Sequence, residues 1–270
     1  MNLSNIDREL LRCCVYGAAI GDALGVPYEF SQRGTFECTG MKGYGTWDKP
    51  AGTYSDDTGL MLAMLDSIAD TCAIDHWDTV RKFRRWMKGD YMPDGDCFDC
   101  GNTCRVAINR GKGLEGEMDN DNGSLMRIAP LAALCCTDED IMKASAVTHA
   151  HKKSMDACVA FVRMVELAWK SVSKAKAEIA KTNLKDAEEQ DISSGGYVMD
   201  TLRAALWCFY NTDSYKECVL KAVNLGRDTD TTACVAGALA CAAYGFDSIP
   251  SEWFDTLLNK REIERVLKKI

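Results

Sequence analysis

Apolar residues in this chain recur at three- and four-residue intervals and almost nowhere in alternation. Leu10, Leu11, Cys14, Val15, Ala18 and Ala19 share one face of a helix, as do Leu60, Met61, Met64, Leu65 and Ile68. That spacing buries one helical stripe, whereas on a strand it would scatter the same residues over both faces. It predicts a first helix through the N-terminal stretch. Further helices are expected over Thr58–Ala69, Trp77–Met87, Thr103–Asn109, Ser124–Cys136, Asp138–Thr148, Lys152–Ser171, Val198–Phe209, Tyr215–Val223, Asp230–Tyr244 and Trp253–Leu258. Only five prolines occur in the chain. The expected fold class is all-α.

Three long connections are rich in Gly, Asp and Asn: Gly21–Thr53, Asp90–Asn102 and Gly111–Gly123. Irregular connections of that length usually carry function, and these three are expected to form one rim around a pocket. Lys170–Asp191 is charged and poor in large apolar residues, so it reads as a solvated helix or a mobile surface insertion. With no repeat and no linker between two cores, residues 1–270 are expected to form a single domain.

A net charge of −8 argues against nucleic acid or an anionic membrane as the main partner. It permits an anionic small molecule, because divalent cations can reverse the potential inside one pocket. The N-terminal sequence MNLSNIDRELLRCC shows no apolar leader core, so the fourteen cysteines are read as thiols in a reducing, cytoplasmic setting. No apolar run is expected to span a bilayer. The expected state is a monomer.

Two short clusters carry the chemistry. Ser55-Asp56-Asp57-Thr58 opens the second predicted helix, and Asp228-Thr229-Asp230-Thr231 opens the helix that ends at Tyr244. One Ser, Thr or Asp suffices to cap a helix. Adjacent carboxylates repel one another, and a cation relieves that repulsion. Oxygen-only donors suit Mg²⁺, Mn²⁺ or Ca²⁺ rather than Zn²⁺. In an extended segment Asp228 and Asp230 would project to the same side. Double capping remains the competing reading.

Other candidates are weaker alone. Glu29 ends Gly-Asp-Ala-Leu-Gly-Val-Pro-Tyr-Glu, where Asp22 could join a turn or cap a neighbouring helix and the glycines could end a helix tightly. Asn122-Gly123-Ser124 precedes an expected helix start suited to phosphate oxygens. Arg127 reads as a phosphate ligand or a structural ion-pair partner, the structural role being favoured. Of His149 and His151, one is expected to touch ligand and the other to lie on the surface. Cys97, Cys100 and Cys104 invite a zinc reading but lack a fourth ligand nearby.

The ordered blocks GDALGVPYEF, YSDDTGLMLA, DCGNT, DNGSLMR, THAHKKS and GRDTDTTACVAGALACAAYG resemble the ADP-ribosylglycohydrolase family, from about Gly17 to Gly245. The resemblance implies a compact orthogonal multi-helix bundle with a binuclear Mg²⁺ or Mn²⁺ site at helix N-termini. It implies Ser55, Asp56, Asp57, Asp228, Asp230 and Thr231 as metal ligands, with Thr58 and Thr229 as helix-start residues. Glu29, Asp57 and Asp230 would be catalytic. Glu29, Gly101, Asn102, Thr103, Asn122, Gly123, Ser124 and His149 would meet the substrate. The implied reaction is hydrolysis of the glycosidic bond between ADP-ribose and an acceptor, a protein arginine being favoured. Rival readings are a metal-dependent hydrolase of another nucleotide and a non-catalytic ADP-ribose-binding or structural protein.

Overall fold

The computed structural model describes residues 5–270; residues 1–4, the start of the N-terminal stretch read above, lie outside them. Twelve α-helices follow one another, with short 3₁₀ turns between some of them and no strand among the described residues. They are α1 (Arg8–Gly25), α2 (Asp56–Thr71), α3 (His76–Trp86), α4 (Asn102–Arg110), α5 (Asp138–Ala146) and α6 (Lys152–Lys170). The remainder are α7 (Val172–Ile179), α8 (Val198–Tyr210), α9 (Tyr215–Asn224), α10 (Thr229–Tyr244), α11 (Ser251–Thr256) and α12 (Lys260–Lys269).

Side-chain caps start many of them. Asp7 accepts from Leu10 N at 3.0 Å, Asp75 accepts from Asp78 N, and Thr137 with Asp140 completes a capping box. Helix α10 is apolar on every face, and all of it up to Ala242 is buried, as expected for a central helix. Its main partner is α1. Gly17 of α1 meets Gly237 and Cys241, Gly21 meets Ala233, and Gly25 meets Thr229 and Asp230, so the two helices run antiparallel. A Cβ on Gly21 would lie 2.1 Å from the Ala233 carbonyl oxygen, and one on Gly25 would lie 2.3 Å from Asp230 Cα. The glycines therefore set a backbone-to-backbone approach rather than ending a helix at Gly21. This corrects the reading of a loop beginning there: α1 runs on to Gly25.

Four other expectations change. Ser124–Cys136 is two 3₁₀ turns, Asn122–Ser124 and Ala129–Ala133, not an α-helix; Pro130 sits where its missing N–H costs the short turn nothing. Lys170–Asp191 is docked rather than mobile. Ala175, Ile179 and Leu184 are buried, and Arg33 ties residues 189 and 192 down through their carbonyls. Helix α12, strongly amphipathic, was not anticipated beyond Leu258; Ile263 and Val266 form its buried side. Finally, Arg8–Tyr28 is long and apolar enough by composition to cross a membrane, contrary to expectation, but 94% of its apolar window is buried against the rest of the protein.

Candidate active site

The antiparallel pair α1–α10 brings three helix termini together. Asp22, one turn before the end of α1, accepts from Ser55 N at 2.8 Å, Thr58 N at 3.1 Å and Thr58 Oγ1 at 2.6 Å. It is the cap that the sequence allowed, and it occupies donors at the start of α2. Thr229 Oγ1 donates to the Gly25 carbonyl at 2.8 Å, fastening the start of α10 to the end of α1. Thr58 and Thr229 are thus helix-start fasteners.

Ser55 is the N-cap of α2, and its hydroxyl donates to Asp57 Oδ2 at 3.1 Å. Thr231 Oγ1 lies 3.3 Å from the same oxygen. Asp57 Oδ1 and Asp230 Oδ2 are buried and have no hydrogen-bond partner. Unpartnered buried carboxylate oxygens are costly. Asp228 and Asp230 do not converge through strand-like alternation: Asp228 is the N-cap of α10 and Asp230 lies in its first turn.

A pocket of about 180 Å³ opens over these residues. Asp56, Asp228 and Thr231 line it with Glu29 from the turn after α1, Asp99 and Gly101 from the second long connection, and Asp121, Asn122 and Gly123 from the third. All three long connections contribute to the rim, as expected. Trp47 Nε1 donates to Glu29 Oε2, and Thr46 Oγ1 donates to the Glu29 carbonyl at 2.7 Å. Asn122 Nδ2 bridges Thr201 Oγ1 and Asp228 Oδ2, each at 2.8 Å.

Asp99 was absent from the sequence-based set. Yet Glu29, Asp99 and Asp230 each place a carboxylate oxygen within 4.8 Å of the others. Asp99 holds φ 56°, a left-handed conformation that Asp adopts more readily than most non-glycine residues. Gly196, also unanticipated, lines the pocket and accepts from Asn122 N at 2.9 Å.

The electrostatics follow from crowding. Burial, then the charge of Asp99, pushes Glu29 up to about 9. Burial, then Asp228, pushes Asp99 up to about 7. Asp56, Asp57 and Asp230 are held well above the usual carboxylate range by burial first, and then by Asp99, Asp22 and Glu29 respectively. Seven carboxyl groups around one small pocket cannot all ionise without positive charge among them. The orphaned oxygens and the oxygen-only donor set fit hard divalent cations.

Four of the residues expected to meet the substrate do not line this pocket. His149 is fully buried and faces no cavity. Arg127 Nη2 donates to Thr148 Oγ1, Thr148 to His149 Nδ1, and His149 Nε2 to Asp121 Oδ1, the one tautomer that satisfies the whole chain. Burial keeps His149 neutral, its pKa falling despite Asp121. Thr103 is buried as well. His149 holds Asp121, which does line the pocket. Ser124 is buried, bonded to Ser145 and Cys158, and Asn102 is exposed, accepting from Arg105. Arg127 forms none of the ion pairs expected of it; its guanidinium donates instead to the Gly123 and Ala144 carbonyls and to Thr148. His151 caps α6 and bonds Glu117 at the surface. Cys97, Cys100 and Cys104 do not form a metal-binding group.

Carboxyl groups gathered at close range around a sugar-sized pocket are the equipment of a glycoside hydrolase. The chain belongs to the ADP-ribosylglycohydrolase family, whose model matches residues 3–270. It is 30% identical over 280 residues to the ADP-ribosylarginine hydrolase Tri1 of Pseudomonas putida (strain GB-1), covering 94% of this chain and 76% of that protein. It is 34% identical over 275 residues to the ADP-ribosyl-[dinitrogen reductase] glycohydrolase of Rhodospirillum rubrum, covering 92% and 91%. A solved structure titled ADP-ribosylglycohydrolase-related protein complex superposes with a TM-score of 0.82 at 26% identity, over 97% of this chain and 96% of that one. The chain is therefore an ADP-ribosyl glycohydrolase, with the all-helical fold of its family.

Proposed function

We propose that the chain hydrolyses the N-glycosidic bond between ADP-ribose and an arginine side chain of a modified protein, using two Mg²⁺ or Mn²⁺ ions. The observation that carries the cation requirement is the pair of buried, unpartnered oxygens, Asp57 Oδ1 and Asp230 Oδ2, on facing helix starts. Ser55, Asp56, Asp57, Asp228, Asp230 and Thr231 would hold the ions. Bound there, the ions supply Lewis acidity and a water of lowered pKa. The preference for arginine is supported by the names of the relatives.

The chain's own residues account for the remaining chemistry. Gly101, Asn122 and Gly123 shape the floor that receives the ribose and diphosphate. Glu29 and Asp99 place carboxylate oxygens within 4.8 Å of each other, with Trp47 fixing the Glu29 carboxyl. Such a pair can deliver a proton to the departing guanidine nitrogen as its bond to the anomeric carbon breaks. Water supplies the hydroxyl to that carbon, and its proton returns to the pair. The surrounding carboxylates stabilise the oxocarbenium-like charge between the two steps.

The test is a panel of defined linkages: ADP-ribose on arginine, on serine and on a nucleic-acid base. Release of ADP-ribose from the arginine linkage, well ahead of the others, is expected. Release only from another linkage would overturn the acceptor assignment. Thermal stabilisation by ADP-ribose with no turnover of any linkage would favour a binding protein instead.

A further inference from the structure

Glu29 and Asp228 face the acidic pocket, and the residues next to them in sequence face a second cavity. Phe30 N donates to the Arg227 carbonyl at 2.6 Å, and Arg227 N donates to the Ser31 carbonyl at 2.7 Å. Both residues are left-handed, with φ 63° and 64°. The two strained residues form a clip, and the clip is a wall between the pocket and a cavity of about 840 Å³. Phe30, Gln32, Arg33, Asp191, Ile192 and Arg227 contribute to that cavity's lining.

Its character is opposite to that of its neighbour. Arg33 spends all three guanidinium nitrogens on backbone carbonyls of Leu225, Glu189 and Ile192, so no carboxylate neutralises it. Arg227 is exposed and forms no ion pair among the described residues. The lining thus sets two unneutralised arginines against one aspartate, on a chain whose net charge is −8. Phe30 leaves 66% of its surface open beside them. The acidic pocket, at about 180 Å³, falls below the roughly 300 Å³ of an ordinary small-ligand site, so a substrate that enters it must extend into neighbouring space.

We propose that this second cavity is an acceptor subsite. It takes the polypeptide that flanks the modified side chain, with Arg227 pairing an acidic residue of that polypeptide and Phe30 covering an apolar one. This rests on the hydrolase reading above. It extends that reading by assigning the wall residues to choice of acceptor sequence, a role separate from bond cleavage.

The test uses the full chain with Mg²⁺ and three substrates: free ADP-ribosylarginine, and two peptides carrying ADP-ribosylarginine flanked by glutamates or by lysines. The wild type should prefer the glutamate peptide by about ten-fold in kcat/KM, mostly through KM. Arg227→Glu should reverse that preference, regaining on the lysine peptide what it loses on the other. A merely structural effect would lower all three substrates alike, and that result would overturn the subsite. So would an unchanged preference. Product inhibition by ADP-ribose that weakens in Arg227→Glu as much as peptide binding would place the nucleotide in this cavity and also overturn it. If the wild type cleaves none of the three, the arginine reading falls, and the subsite with it. Cleavage of all three with no peptide preference removes the subsite alone.

Discussion

Thr231 Oγ1 lies 3.3 Å from Asp57 Oδ2, a contact between residues 174 positions apart. It joins the first turn of α10 to the first turn of α2, and two sequence clusters become one site. The carboxylates at that junction are buried close together, so the site is a place where stability is given up for function.

Asp57→Asn should therefore separate the two properties. Removing one buried charge from the cluster relieves repulsion in the cation-free protein. Its melting temperature in EDTA should rise by roughly 2–4 °C, about 1 kcal/mol for a chain of this size. Its turnover should fall by about 10²–10³-fold or more. Asp230→Asn is expected to behave alike. Differential scanning calorimetry beside ADP-ribose release checks both halves. A variant that loses both stability and activity would mean that the aspartates are structural.

Asp99→Asn tests the residue that sequence reasoning missed. If Asp99 shares a proton with Glu29, kcat should fall by about 10²–10⁴-fold with little change in KM. Steady-state kinetics on an arginine-linked substrate decides this. An unaffected kcat would remove Asp99 from the chemistry and leave Glu29 to act alone.

The two acidic clusters were legible as parts of one site because each puts more oxygen donors at a helix start than capping needs. Asp99 was not, since it lies among Asp90, Asp94 and Asp96 in one connection, and only folding decides which of the four turns inward. His149 does not itself line the pocket, and a histidine beside such a loop looks the same in sequence whether it meets a ligand or holds an aspartate that lines the pocket. The glycines of α1 read as punctuation, whereas Gly17, Gly21 and Gly25 at four-residue intervals are a packing surface for α10. That role depends on a partner over two hundred residues away. The missing helix over Ser124–Cys136 has a local cause, Pro130, which the apolar periodicity overshadowed.

Gly25→Ala should damage the site through the backbone. The added methyl would lie 2.3 Å from Asp230 Cα and must push α10 away. Overpacking of this kind costs about 1–3 kcal/mol, and activity should fall because Asp228 and Asp230 move with the helix. Gly34→Ala is the control. Gly34 has φ 77° and open space around it, so the change adds only backbone strain of about 1 kcal/mol. Equal activity losses in the two variants would argue against the α1–α10 contact as the positioning element.

A second buried acid gives a pH prediction. Asp66 is 2% exposed and is bonded by Lys82, Lys269, Arg265 and Tyr91, joining α2 to α3 and α12. Burial would raise its pKa, but the bonds from Lys269, Lys82, Tyr91 and Arg265 outweigh it and hold the carboxyl well below the usual range. A depressed folded-state pKa contributes stability above the unfolded value, about 3.9, and loses it as pH falls toward the folded one. Asp66→Asn should thus cost about 1.5–3 kcal/mol at pH 7, because it removes one of the two carboxylates that hold buried Lys82 and leaves Asp70 as its partner. The gap to wild type should narrow below about pH 4. Urea unfolding of both proteins from pH 7 to pH 3 measures it, and a pH-independent gap would contradict the assignment.

The cation requirement is the centre of the account, and it can be measured directly. The protein is stripped with chelator, and release of ADP-ribose from an arginine-linked substrate is followed as Mg²⁺ or Mn²⁺ is returned. The account predicts no release from the stripped protein and full recovery on addition of either ion, with Asp57→Ala and Asp230→Ala failing to recover. Undiminished release after thorough chelation would contradict it.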